Sequence, residues 1–142
     1  MARAADDGVV IASCRVVDER DLFVVRQTLR RHAKEVGLGL VDETKIITAA
    51  SELARNILRY CAGAGGELRV ERVERGGRRG LRATFRDDGP GIPDVALAMR
   101  DGYSTGGSLG LGLPGAKRLV DEFDIDSAPQ QGTTVQITKW VR

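Results

Sequence analysis

The first half of the chain combines one β-branched segment with two segments whose apolar residues recur at helical spacing. Residues 9–17 are rich in valine and bounded by polar residues, which predicts a strand. Apolar residues then recur every three or four positions in two stretches, and each stretch predicts an amphipathic helix. The two stripes are Leu22, Val25, Leu29, Ala33 and Val36, and Ile46, Ala50, Leu53, Ile57 and Tyr60. We expect Asp18 and Asp42 to cap these helices, and Gly37 to end the first.

The second half predicts two pairs of strands separated by two short helices. Apolar and polar residues alternate on both sides of a turn-rich link at residues 75–80, which predicts a β-hairpin. Short helices are predicted at residues 94–100 and 114–123, and final strands at residues 123–128 and 133–141. The order β-α-α-β-β-α-α-β-β indicates an α/β (α+β) two-layer sandwich. Its sheet is predicted to be mixed and mostly antiparallel, with helices on one face.

Composition sets limits on the class of protein. With 142 residues, 42% of them apolar, the chain suits one domain with one core, and residues 1–8 are expected to be flexible. A net charge of +2 is too small to favour nucleic acid or an anionic membrane as a partner. No apolar segment approaches the roughly 18 residues of a membrane helix. The two cysteines, Cys14 and Cys61, are expected to be free thiols in the cytoplasm.

Glu52 and Asn56 are four residues apart on the second predicted helix, so their side chains point the same way beside the apolar stripe. Such a pair is usually a solvated surface pair. The chemical alternative is that Asn56 offers a neutral oxygen to Mg²⁺, while Glu52 accepts a proton from a hydroxyl group in phosphoryl transfer.

A second motif, Asp87-x-Gly89-x-Gly91, follows the predicted hairpin. Its glycines allow a sharp backbone turn and the close approach of a flat ligand. An aspartate at the end of a strand can accept a hydrogen bond from an exocyclic amine such as that of adenine. Asp87 and the adjacent Asp88 are both candidates for that contact, and a plain turn is the simpler explanation of the motif.

A glycine-rich stretch at residues 101–112 precedes a predicted helix, and its free N–H groups suit phosphates. Within it, the candidate phosphate-binding residues are Gly106, Gly107, Gly110 and Gly112. The hydroxyl of Thr133, which follows Gly132, can contact a base. A dinucleotide-binding fingerprint is excluded because no strand immediately precedes the glycines, and the P-loop motif is absent from the sequence.

Taken in this order, the four motifs resemble the ATP-binding site of the GHKL superfamily, which includes histidine kinases, Hsp90, gyrase B, MutL and the anti-sigma-factor kinases. The segments SELARNI, DDGPGIPD and DGYSTGGSLGLGLPGAKRLVDEF, with the final TKW, resemble the anti-sigma-factor serine kinase branch, and in it the switch-protein kinases of the stressosome. The similarity covers nearly the whole chain. It implies the Bergerat ATP-binding fold over one domain, residues 1–142.

The resemblance implies a role for each matched residue. Glu52 would be the general base, and Asn56 would coordinate Mg²⁺. Asp87 would bind the adenine amine in a pocket shaped by Gly89 and Gly91. Gly110 and Gly112 would hold phosphates as part of a lid, and Thr133 would support the adenine.

The implied cofactors are ATP and Mg²⁺, and the implied activity is that of a protein-serine/threonine kinase. Its substrate would be a STAS-domain protein, and by partner switching the kinase would then activate a PP2C-type phosphatase. Two alternatives remain open: an ATP-binding anti-sigma factor that sequesters a sigma factor directly, and a nucleotide-binding scaffold without turnover.

Overall fold

The computed structural model describes residues 7–61, 64–92, 94–100 and 112–142. Its nine elements follow the predicted order. They are β1 (Asp7–Val16), α1 (Glu19–Val36), α2 (Leu40–Tyr60), β2 (Gly66–Arg75), β3 (Arg78–Asp87), α3 (Val95–Ala98), α4 (Leu113–Leu119), β4 (Glu122–Ser127) and β5 (Thr133–Trp140).

The five described strands form one sheet in the order β1-β2-β3-β5-β4. Each neighbouring pair runs antiparallel. The α+β class is therefore confirmed, but the expected parallel component of a mixed sheet is absent among the strands that the structure describes. The hairpin between β2 and β3 and the turn between β4 and β5 fix two of the four pairings, because a short connection joins only antiparallel neighbours. The other two pairs, β1 with β2 and β3 with β5, are antiparallel although helices separate them along the chain.

The helices pack on one face of the sheet, and their apolar stripes form the core with the inward residues of the strands. The largest fully buried side chains come from both layers, and they include Leu29, Ile46, Leu68, Leu81, Leu113 and Ile137. Both α1 and α2 contact the sheet and each other. This packing fixes α2, the helix that carries Glu52 and Asn56, against the ends of β3 and β5.

The predicted cap of α1 is confirmed, whereas the predicted cap of α2 is wrong. Asp18 accepts a hydrogen bond from the Arg20 backbone N–H at 3.0 Å and begins α1. The second helix begins earlier than predicted, with Gly39 at its N-cap and Asp42 inside its first turn. The Asp42 carboxylate instead lies 3.3 Å from Nζ of the buried Lys139, so it is not available to cap a helix.

Two further boundaries differ from expectation. Helix α4 ends at Leu119 rather than near residue 123, because Asp121 turns back to accept a hydrogen bond from the Trp140 N–H at 2.7 Å. Residues 7 and 8, expected to be flexible, pair with β2 as the start of β1. The rest of that predicted segment, residues 1–6, lies outside the described residues. No helix in the described part of the chain is long and apolar enough to cross a membrane.

Candidate active site

A cavity of about 290 Å³ lies between the C-terminal half of α2, the ends of β3 and β5, and the start of α4. Its walls are mostly apolar. The apolar side chains include Leu53, Ile57, Phe85, Ile92, Leu113 and Val135. A few polar groups converge on it, among them Asn56, Asp87 and Thr133. Apolar walls with a few placed polar groups suit a flat heteroaromatic ligand.

Helix α2 presents Glu52 and Asn56 one turn apart at one edge of the cavity. Asn56 lines the cavity, and its amide oxygen Oδ1 is buried. Glu52 is half-buried and lies directly against Gly112, where a Cβ atom would stand 2.7 Å from the Glu52 Cδ. Gly112 has a φ of +65° and precedes α4. The fold thus brings two predicted site residues together from motifs 60 positions apart.

The loop after β3 forms the opposite wall. Asp87 accepts a hydrogen bond from the Gly89 N–H at 2.9 Å, which orders the turn. Gly91 has a φ of +78° and lies so close to Ala128 that a Cβ atom would overlap the carbonyl oxygen of that residue. Of the two candidate aspartates, only Asp87 lines the cavity. Both line a neighbouring polar groove formed by β2, β3 and β5.

Cys61 is a site residue whose position the sequence did not indicate. It lines the cavity just after α2, and Gly89 lies against its sulfur atom. Burial, together with a hydrogen bond from the thiol to the Asp87 carboxylate, raises the pKa of Cys61 to about 12. The group is therefore a neutral thiol at physiological pH, and it restricts the orientation of Asp87.

Ser127 is a second residue that sequence analysis missed. Its hydroxyl accepts a hydrogen bond from the Ile92 N–H at 2.9 Å, lies 3.1 Å from the Gly132 carbonyl oxygen, and lies 2.7 Å from the Thr133 hydroxyl. The loop after β3 and the start of β5 thus meet at one oxygen atom. Since Thr133 lines the cavity, Ser127 positions both that hydroxyl and the loop.

Ser127→Ala is expected to loosen this junction. Removing the hydroxyl deprives the Ile92 N–H of its acceptor, which costs about 1–3 kcal/mol of stability where the group is buried. If about 1.4 kcal/mol of that reaches the binding step, ligand affinity falls tenfold. Titration calorimetry with ATP and thermal unfolding would measure both effects. Ser13→Ala on the exposed part of β1 is the matched control, and equal behaviour of the two variants would contradict a positioning role.

Three predicted phosphate-binding residues, Gly106, Gly107 and Gly110, lie outside the described residues. Of the glycine-rich stretch, Gly112 is the predicted site residue that the structure places. Four of the other predicted residues line the cavity, with Asn56 across from Asp87, Gly91 and Thr133. Glu52 lies beside Gly112 and does not line the cavity. Gly89 lies behind the wall, where it supports Cys61 and Asp87.

The donor set fits Mg²⁺ delivered together with a nucleotide. Among the residues that the structure describes, no three acidic, histidine or cysteine side chains cluster as a cation cage. Mg²⁺ usually keeps several waters and substrate phosphates and takes only one or two protein oxygens. The buried Oδ1 of Asn56, beside the half-buried Glu52, is an oxygen donor of this kind.

Comparison with known proteins identifies the family of the chain. The model of the histidine kinase-, DNA gyrase B- and HSP90-like ATPases matches residues 41–142, and the chain belongs to this family. The serine/threonine-protein kinase RsbT of Bacillus subtilis is 50% identical over 131 residues, which cover 92% of this chain and 97% of that protein. Anti-sigma F factors of Bacillus licheniformis and Bacillus subtilis are 39% and 37% identical over 59 residues, about 40% of each protein and 39% of this chain.

These similarities confirm the predicted family, fold class, enzyme class, functional type and nucleotide cofactor. The chain is a GHKL-superfamily protein with an α+β fold, as its motifs indicated. Its enzyme class is that of the protein-serine/threonine kinases, and its functional type is that of the anti-sigma-factor kinases that act by partner switching. Its cofactor class is ATP.

Proposed function

We propose that the chain uses ATP with Mg²⁺ to phosphorylate a serine or threonine of a STAS-domain antagonist in the bacterial cytoplasm, and that it then binds and activates a PP2C-type phosphatase. The observation that carries this proposal is the contact between Glu52 and Gly112 at the edge of the apolar cavity. In this contact the Glu52 carboxylate lies beside Gly112, the last glycine of the stretch that is expected to hold phosphates.

Asn56 and Glu52 have different roles in the proposed phosphoryl transfer. Asn56 would hold Mg²⁺, which neutralises charge on the phosphates when bound. In the transfer, the acceptor hydroxyl oxygen forms a bond to the γ-phosphorus, the bond from that phosphorus to the bridging oxygen breaks, and ADP leaves. Glu52 accepts the hydroxyl proton. Most of the rate enhancement comes from positioning and charge stabilisation, as in phosphoryl transfer generally.

The adenine would lie in the apolar cavity. Phe85, Ile92 and Val135 offer apolar contact area, and Asp87 at the cavity wall would accept a hydrogen bond from the exocyclic amine. The Cys61 thiol and the Gly89 N–H both donate to Asp87, so its carboxylate is oriented before the ligand arrives. Such preorganisation reduces the entropic cost of binding.

Asp87→Asn is expected to weaken ATP binding by about 10- to 100-fold, because a hydrogen bond to a charged group contributes about 1.5–3 kcal/mol. The affinity for inosine triphosphate, which carries a carbonyl in place of the amine, should change much less. Calorimetry with both nucleotides measures the difference. Asp88→Asn is the matched control, and a loss confined to that variant would assign the adenine contact to Asp88 instead.

The transfer itself is tested with purified protein, γ-labelled ATP, Mg²⁺ and candidate STAS-domain proteins. The expected result is label on a serine or threonine of one of them, and none when Mg²⁺ is chelated. When the cognate phosphatase is then added, the released kinase should activate it. The phosphatase activity should rise in proportion to the amount of kinase released. Nucleotide binding without transfer to any STAS protein would contradict the proposal.

The similarity to anti-sigma F factors favours one second function, the direct sequestration of a sigma factor. That similarity spans 39% of this chain, whereas the similarity to the serine/threonine-protein kinase spans 92%. Co-purification with sigma factors tests this alternative. A stable, ATP-dependent complex with a sigma factor, and no activation of a phosphatase, would favour sequestration over the kinase role.

A further inference from the structure

One face of α2 runs from Glu52 toward the start of the helix and is exposed along its length. Val41, Thr44, Thr48 and Glu52 follow each other at steps of three and four residues, so they share one side of the helix. Val41 is 68% exposed, Thr44 and Thr48 are exposed, and Glu52 is half-buried. We call Val41, Thr44 and Thr48 the α2 stripe. It connects the candidate base to open surface.

The α2 stripe is apolar in practice. The Thr44 hydroxyl donates to the Leu40 carbonyl oxygen at 2.9 Å, and the Thr48 hydroxyl donates to the Thr44 carbonyl oxygen at 2.8 Å. Both hydroxyl protons are thus used inside the helix and are not offered to a partner. Leu40, beside Val41 at the helix start, is 72% exposed. The surface therefore presents four side chains, those of Leu40, Val41, Thr44 and Thr48, whose burial by a partner would be favourable.

The acidic residues of the first turn face away from the α2 stripe. Asp42 pairs with Lys139 and Arg142, at 3.3 Å in each case. Glu43 is buried and lies 2.8 Å from Nζ of Lys34. Glu52 is the remaining acidic residue of α2, and it lies at the catalytic end of the stripe.

The flanks of the α2 stripe are basic, with Lys45 half-buried and Arg55 exposed. An acidic residue on a partner would find a positive charge at either flank, whereas a basic partner would be disfavoured. The charge and the apolar character of this surface together suit a globular partner that has a small apolar patch with an acidic rim.

We infer that the α2 stripe is the docking surface for the protein that accepts the phosphate. The inference rests on the proposed role of Glu52. An acceptor hydroxyl that reaches Glu52 brings its own protein over the adjoining turns of α2. Val41 lies 11 residues from Glu52, about 16 Å at 1.5 Å per residue. That distance is within the span of a typical interface of about 800 Å² per partner. A single interface can therefore cover both the α2 stripe and the Glu52 carboxylate.

Val41→Asp tests the inference. The new carboxylate would lie in the first turn of α2, where the helix dipole favours a negative charge, so the fold should be retained. In the complex it would be buried against apolar or acidic groups, which is unfavourable. We expect kcat/KM for the acceptor protein to fall at least about tenfold, with the Kd for ATP unchanged. Val24→Asp, at a 45% exposed valine of α1, is the matched control and should leave both quantities unchanged.

A crosslinking experiment tests the docking site without the charge that Val41→Asp introduces. A photoreactive residue in place of Thr44 should capture the acceptor protein, and one in place of the exposed Gln27 on α1 should not. An unchanged kcat/KM in Val41→Asp, or equal capture from both positions, overturns the docking site. Normal transfer by Val41→Asp with weakened phosphatase binding also overturns it and assigns the surface to the phosphatase. Failure of the unmodified protein to label any acceptor is a failure of the proposed function, and the docking site then falls with it.

Discussion

Glu52→Gln is expected to lower the rate of phosphoryl transfer by about 10²- to 10⁴-fold while leaving ATP affinity nearly unchanged. The amide has the same shape as the carboxylate but cannot accept the hydroxyl proton. Glu52 packs against Gly112 rather than inside the apolar cavity, so the contacts to the nucleotide base should persist. A loss in kcat without a loss in binding marks a group that acts only in the transition state.

Single-turnover transfer to the acceptor protein measures this effect, and calorimetry with ATP measures binding. Glu74→Gln, at an exposed position near the end of β2, removes the same charge far from the site and serves as the control. If Glu52→Gln transferred phosphate at the rate of the unmodified protein, Glu52 would not be the base. If it lost ATP binding as well, the carboxylate would instead be part of the nucleotide site.

Gly91→Ala should have the second-largest effect, on stability and on nucleotide binding together. Gly91 has a φ of +78°, a conformation that costs about 1–2 kcal/mol for a residue with a side chain. Its Cβ atom would in addition overlap the Ala128 carbonyl oxygen, a backbone atom that cannot rotate aside. Forcing an atom into a packed region typically costs a further 1–3 kcal/mol or so. Displacement of the loop would widen the cavity wall on the side of Asp87.

Gly77→Ala separates the two costs. Gly77 has a φ of +80°, but a Cβ atom there would meet open space. The two variants therefore share the conformational cost and differ in the overlap. Thermal unfolding should give the lower Tm for Gly91→Ala, by about 2–4 °C for each additional kcal/mol. ATP affinity should fall in that variant alone. Equal Tm values and equal affinities would show that the loop yields without cost.

Much of the fold could be predicted because periodicity identifies the buried face of an element directly. The recurring buried apolar residues of α1 and α2, together with the alternation in the hairpin, predicted the observed order of all nine described elements. The start of α2 could not be predicted, because the use of Asp42 depends on Lys139, which lies 97 residues later. The all-antiparallel pairing likewise depends on how strands combine in space, which no local pattern records.

The candidate site shows the same division between local and long-range signals. Glu52 and Asn56 share a helix face at a spacing that can be read from sequence, and Asp87 ends a strand before two glycines. Ser127 gave no such signal, because its importance comes from contacts with Ile92 and Thr133 across two connections. A polar residue placed just before a turn is ordinary in any sequence, and only the fold shows which groups it joins.

The turn between β2 and β3 offers a practical site for attaching a probe. Gly76 and Gly77 both have positive φ, as a tight hairpin requires, and neither has a neighbour where a Cβ atom would stand. Strand β3 runs from this turn to Asp87, a length of roughly 30 Å at about 3.4 Å per residue. A fluorophore, an affinity tag or a surface tether placed there would stand at the far end of the sheet. Such a label would allow single-molecule observation of partner exchange without obstructing the nucleotide.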